Sequence, residues 1–216
     1  MVTKQEYFGD WLEVIDRREL DIIITKLNYL YYFRPVVPEY RNIFKAFTLC
    51  RKSNCRVVFL GQDPYPQQNV ATGILFGNHA GTPMISPSLR VIRDSVMSLE
   101  YGDFDITLES WAEQGILMIN SALTCETNKI GSHFLLWKPF ISKFLLSLST
   151  QKKGIVYVLF GNQAQLFEPC IMEGNIVLKE RHPAFYARMN APMPSKVFTD
   201  INNNINGEPI HWCNKQ

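Results

Sequence analysis

A three-layer α/β/α fold around a central, mainly parallel sheet of four strands is what this 216-residue sequence predicts. Four short apolar runs carry the prediction: Val57 to Leu60, Gly115 to Ile119, Ile155 to Phe160 and Asn175 to Leu178. They lack the polar alternation of a half-buried strand and read as strands covered on both faces. Helix-length segments separate them, and an alternation of strands with helices gives parallel pairing. Polar, turn-forming residues follow three of the runs, which is where open α/β sheets bind ligands.

The elements follow in chain order. From Gln5 to Phe33, apolar residues at 12, 15, 20, 23, 24, 27 and 30 recur at helical spacing, and Arg34-Pro35 ends the pattern because the residue before proline is disfavoured in a helix. Gly61 and the prolines at 64 and 66 force the chain out of the sheet after the first run. Thr107 is placed to cap a helix over Leu108 to Gln114, with Gly115 just past its end, and Ser195 to cap a last helix through Asn204. There is no repeat, low-complexity tract or Gly/Ser linker, so residues 1–216 are expected to form a single domain.

Composition bounds the function loosely. A hydrophobic content of 46% suffices for one well-filled core, and a formal net charge of +2 permits an anionic partner without requiring one. The five cysteines show neither a CxxC pair nor the spacing of a zinc or iron-sulfur site, so no metal is expected and a reducing compartment suits them. The first eleven residues lack a signal-peptide pattern, and no apolar run approaches the ~18 residues of a membrane helix. A soluble intracellular protein is expected, cytoplasmic, or nuclear in a eukaryotic or viral setting.

Three polar segments follow strands and should share one rim: Gln62 to Pro66, Asn120 to Thr124, and Arg181 to Pro192. Taken singly, each has a conformational explanation. Asp63 before Pro64 starts turns, Asn120 suits a strand end, and His182 before Pro183 is an ordinary loop histidine. Together they form a hydrolytic set: a carboxylate to polarise water, an imidazole to stabilise developing negative charge, and an amide to read a polar edge.

Gly61-Gln62-Asp63-Pro64-Tyr65, followed by Asn69, Ala71, Gly73 and Phe76, resembles the water-activating loop of family 1 uracil-DNA glycosylases. Leu117 to Thr124 resembles that family's uracil-reading strand, Gly131-Ser132-His133 and Trp137 continue the pattern, and His182-Pro183 resembles the opening of its DNA-intercalating loop. The likeness runs in family order from Tyr7-Phe8-Gly9 to Ile210-His211-Trp212.

The resemblance implies a monofunctional N-glycosyl hydrolase of base-excision repair that flips deoxyuridine out of DNA and leaves an abasic site, with no cofactor. It implies Asp63 as the water-activating group and His182 as the donor to uracil O2. Gln62, Tyr65, Phe76 and Asn120 would line the base pocket, with Asn120 pairing uracil O4 and N3-H, Tyr65 excluding thymine's methyl and Phe76 stacking on the ring. DNA contacts would come from Ser86, Pro87, Ser88, Gly161, Asn162, Pro183, Tyr186 and Arg188. The partner is uracil-containing DNA, single- or double-stranded; a proteinaceous inhibitor is a further candidate, and a monomer is the default state.

Two positions depart from the family pattern. Pro66 stands where histidine is usual, and Ala184-Phe185-Tyr186-Ala187-Arg188-Met189 replaces serine, proline, leucine and serine. Tyr186 occupies the ungapped position of the wedge leucine, with Phe185 and Met189 as alternatives, and Arg188 offsets the serine lost at Ala184 by its charge. A non-catalytic DNA-binding or replication-associated protein on the same fold is the competing reading. A generic nucleotide-binding protein ranks last, since neither GxGxxG nor a P-loop is present.

Overall fold

The computed structural model describes residues 4–214. Its centre is a parallel sheet of four strands, β2 (Val57–Gly61), β3 (Ile116–Asn120), β5 (Val156–Phe160) and β6 (Ile176–Glu180), in the order β3-β2-β5-β6. The register pairs Val57 with Ile116 and Val156, and Val156 with Ile176. Every residue of β2, β3 and β5 is buried. β3 is buried although it lies at the sheet edge, because α3 (Lys45–Leu49) and α5 (Glu109–Glu113) pack against it. The sheet is wholly parallel, and the four expected strands are present with bounds that differ by at most two residues; β6, at the other edge, is only half-buried with Lys179 exposed, so the expected cover on both faces does not hold there.

The remaining helices are α1 (Lys4–Phe8), α2 (Arg17–Phe33), α4 (Pro87–Met97), α6 (Phe134–Gln151), α7 (Gly161–Gln165), α8 (Pro183–Met189) and α9 (Lys196–Asn204). One aromatic cluster, of Trp11, Phe44, Phe47, Trp137, Phe140 and Phe144, joins the amino-terminal helices to α3 and α6. A second joins Phe59 and Phe160 of the sheet to Trp111, Phe198 and Trp212 near the carboxyl end. No helix among the described residues is long and apolar enough to cross a membrane.

Four sequence expectations are corrected in detail. The amino-terminal helical stretch is interrupted: a 3-10 turn over Gly9–Glu13 follows α1, and Asp16 starts α2 afresh by accepting the N–H groups of Arg18 and Glu19. Helix α5 begins at Glu109, because Leu108 adopts φ +60°; the Thr107 hydroxyl accepts from the Glu109 N–H as expected, but it shares the capping with the Asp105 carboxylate, which accepts from the N–H groups of Thr107 and Ser110. Ser195 precedes α9 as expected, but its hydroxyl makes no capping bond. The segment Arg181 to Pro192 contains a helix, α8, with Pro183 at its first turn, where a missing N–H costs nothing. A two-stranded antiparallel ribbon, β1 (Val36–Val37) with β4 (Cys125–Glu126), was not foreseen; two residues are too few for a pattern.

Candidate active site

In the four-stranded sheet β2 and β3 lie side by side, but β5 returns to the far side of β2, and the rim above that reversal is a topological switch point. A cavity of about 1100 Å³ opens there. The three polar segments converge on it: Gln62, Asp63 and Tyr65 after β2, Asn120 at the end of β3, and His182 after β6 all line the cavity, as does Phe76.

The turn after β2 is fixed by bonds to the chain that follows β3. The Gln62 carbonyl accepts from the Ser121 hydroxyl (2.9 Å) and the Ala122 N–H (3.0 Å), and the Pro66 carbonyl accepts from the Asn128 N–H (2.8 Å). The Gly131 N–H donates to Asp63 Oδ2 (3.1 Å). Asp63 Oδ1 is buried and has no hydrogen-bond partner among the described residues, and the same holds for Asn120 Oδ1. Burial raises the Asp63 carboxyl above the ordinary range, against the lowering effect of Gly131 and Gln62. A half-buried carboxylate raised in this way is a stronger base, with one oxygen anchored and the other free.

His182 is held in one protonation state. The Ala184 N–H lies 3.2 Å from its Nδ1, so that nitrogen accepts and Nε2 carries the proton. Burial, aided by the charge of Arg188, pushes the imidazole down to about 4 from an ordinary value of 6.5. The ring is therefore neutral at pH 7 and offers one donor. Behind it, Gly161 has φ +83°, and a Cβ there would lie 2.9 Å from the Cβ of His182. Only glycine allows β5 to turn this close to the histidine.

Phe76 lies edge-on to both His182 and Phe160, with ring centroids 5.4 and 5.3 Å away. Its φ of +65° is strained for a bulky residue, at a cost of order 1–3 kcal/mol. The Tyr65 hydroxyl donates to the Phe76 carbonyl (3.1 Å) and holds the ring in that posture. Burial raises the Tyr65 phenol, which stays protonated and able to donate.

Of the expected DNA contacts, Ser86, Pro87, Ser88 and Arg188 line the cavity, with Arg188 exposed at its mouth. Asn162 is exposed beyond the lining, Gly161 backs His182, and Pro183 is buried in the first turn of α8. Tyr186 does not line the cavity: its hydroxyl donates to Glu180 Oε1 (2.8 Å), and its half-buried ring packs against the core, so it does not project as a wedge. Met189, 64% exposed, is the free apolar side chain of α8.

Sequence reasoning missed Asn78, buried in the cavity wall. Its side chain bonds Ser86 reciprocally, Nδ2 to the hydroxyl (2.9 Å) and Oδ1 from the N–H (2.7 Å). It stands in no motif, and a bond spanning eight residues of loop leaves no periodic trace. Gly131 was visible in the quoted Gly-Ser-His triplet, but its bond to Asp63 was not.

A family model described as the uracil DNA glycosylase superfamily matches residues 47–206, which include every residue of the cavity's polar set. The chain belongs to this superfamily. A uracil-DNA glycosylase of Campylobacter jejuni is 35% identical over an alignment covering 98% of this chain and 96% of its own. One from Yersinia pseudotuberculosis is 34% identical, covering 83% and 82%. The crystal structure of mimivirus uracil-DNA glycosylase superposes with a TM-score of 0.77 over 98% of this chain and 94% of that one, at 22% identity, a likeness of fold. The glycosylase fold thus supplies the frame in which Asp63, Asn120 and His182 meet.

Proposed function

We propose that this protein hydrolyses the N-glycosidic bond of deoxyuridine in DNA, releasing uracil and leaving an abasic site. One observation carries the reading: the unpartnered oxygens of Asp63 and Asn120 and the neutral imidazole of His182 share a single cavity at the switch point. Family membership supports it.

In this reading a water binds Asp63 Oδ1 and attacks C1′ of the sugar. The C1′–N1 bond breaks, its electron pair leaves with the base, and the proton of the water passes to the carboxylate. Until then the anion of Asp63 faces the positive charge that builds on the sugar. Nε2–H of His182 donates to uracil O2 as that oxygen becomes negative. A neutral donor suits this step, because it stabilises the anion without first having to be desolvated as a cation.

Asn120 offers one amide donor and one acceptor, matching uracil O4 and N3–H; cytosine presents the opposite pair. A site that leaves buried polar groups unpaired with the wrong base discriminates by ~10⁴ or more. Tyr65 fills the space beside C5, and Phe76 provides the stacking face. The amino terminus of α4, which carries Ser86, Pro87 and Ser88 to the cavity wall, suits a backbone phosphate. We assign the wedge to Met189, the exposed apolar side chain next to Arg188.

The test uses an oligonucleotide with a single deoxyuridine, incubated in EDTA and treated with alkali. Strand cleavage at the uridine is expected. An intact strand under enzyme excess would overturn the reading in favour of a non-catalytic DNA-binding protein, which no feature of the site favours.

A further inference from the structure

A second cavity, of about 600 Å³, lies beside the first, between α4, α8 and the chain that leads to α9. The two share the residues Pro87, Arg90 and Ala187, so a low ridge separates them. Val91 and Ser95 come from one helix, Tyr186 and Asn190 from the end of the other, and Met193 from beyond it. Ser95 is 5% exposed, and its hydroxyl has no hydrogen-bond partner among the described residues. A buried hydroxyl left unpaired costs free energy, and one in a cavity wall marks a place where a polar ligand completes the bonding.

We propose that this second cavity is a nucleobase subsite for the nucleotide next to the excised uridine. The inference rests on the reading of the first cavity as the uracil site. In this proposal a strand with uridine in the first cavity runs over the shared ridge of Pro87, Arg90 and Ala187, which sets its neighbouring base over the second. The chemistry there suits a base rather than a phosphate. Apolar Val91 and Met193 and the ring of Tyr186 offer surface for a flat ring, and Ser95 and Asn190 offer groups for its polar edge. Arg90 on the ridge suits the phosphate between the two nucleotides.

The subsite also accounts for the departure at position 186. A leucine wedge must be free to enter the duplex, whereas this tyrosine is tied down through its hydroxyl to Glu180, which fixes the ring as a wall.

The test compares single-stranded substrates with one deoxyuridine, in which the nucleoside on one side is replaced by a tetrahydrofuran spacer. On one side only, the spacer should lower kcat/KM by about tenfold, the scale of a lost base-aromatic stack. Tyr186→Ala should bring the fully based strand down to the level of the spacer strand, and Tyr186→Phe should retain most of the difference. Because Tyr186 also packs in the fold, Ala191→Phe, which fills the cavity from the connecting chain, provides a second variant with the same expected loss. Uracil release that is equally fast with and without either neighbouring base would overturn the subsite and leave the uracil reading standing. No release from any strand would overturn both.

Discussion

Asp63 and His182 face the same cavity, but the chain secures them in different ways. Asp63 lies in an irregular turn whose carbonyls and carboxylate are bonded to Ser121, Ala122, Asn128 and Gly131, all in the stretch that follows β3. His182 is held by its own helix, through the N–H of Ala184, and by the close approach of Gly161. The first region depends on several hydrogen bonds to a distant part of the sequence; the second needs a helix start at Pro183 and, from afar, only the absence of a side chain at Gly161. Substitutions should therefore be confined in the first and tolerated on the outer face of the second. The departures from the family pattern follow this division. Pro66 still supplies the carbonyl that Asn128 requires, and the residues that differ most, 184 to 189, lie along α8.

The largest expected effect is at Asp63. Asp63→Asn keeps the shape and the acceptor for Gly131 but removes the base, and uracil release in single turnover should fall by about 10²–10⁴-fold. An unimpaired variant would sink the water-activating role and with it the contrast between the two regions.

His182→Ala should cost about 10²–10³-fold by the same assay, since one donor to a developing oxyanion is lost. The pH profile separates the two groups. Asp63 is raised above its ordinary value, so the base is lost as pH falls through that raised value. His182 is lowered from 6.5 to about 4, so it keeps its charge state through pH 6.5. His182 should therefore add no inflection near 6.5, and the rate should fall on the acid side as Asp63 takes up a proton. A break near 6.5 that disappears in His182→Ala would show that the helix does not hold the ring neutral.

Tyr65 tests whether the first region is confined as its bonding suggests. Tyr65→Phe loses only the bond to the Phe76 carbonyl, worth about 1 kcal/mol, and should slow uracil release a few-fold. Tyr65→Ala removes the bulk beside C5 as well, and thymine release should become detectable. If both variants reject thymine equally, Tyr65 is not the residue that guards C5.

What the sequence made legible follows the same division. Three of the four strands were readable because burial on both faces leaves unbroken apolar runs, while β6, a half-buried edge strand, was readable only from its apolar start, Ile176 to Leu178; Asp63, Asn120 and His182 were readable because each follows or ends a strand at the shared rim. The helix in 183–189 was hidden by its own start, since His-Pro reads as a turn and the segment is too short for a periodic signal. Tyr186 was misplaced for a different reason. Alignment gave its position along the chain, but the bond to Glu180 that draws it inward joins α8 back to β6, and no local pattern records it. Asn78 was missed because its bonding to Ser86 closes a loop without regular structure.

On the helix side, Met189→Ala should lower activity on duplex substrate about fivefold more than on single strands, since a wedge matters only where a base leaves a stack. Equal losses on the two substrates would remove Met189 from that role. The smallest effect is expected at Asn78, where both oxygen and nitrogen of one side chain hold Ser86 at the start of α4. Asn78→Ala breaks two bonds in a buried wall, yet Ser86 is only half-buried and water can replace part of what is lost. The expected cost is therefore about 1–2 kcal/mol of stability, read as a lower Tm, with a rise in KM for DNA of a few-fold and little change in kcat. A fall in kcat as large as that of His182→Ala would mean that the loop carrying Ser86 orders the reacting groups themselves, and the confined part of the site would then extend beyond the turn after β2.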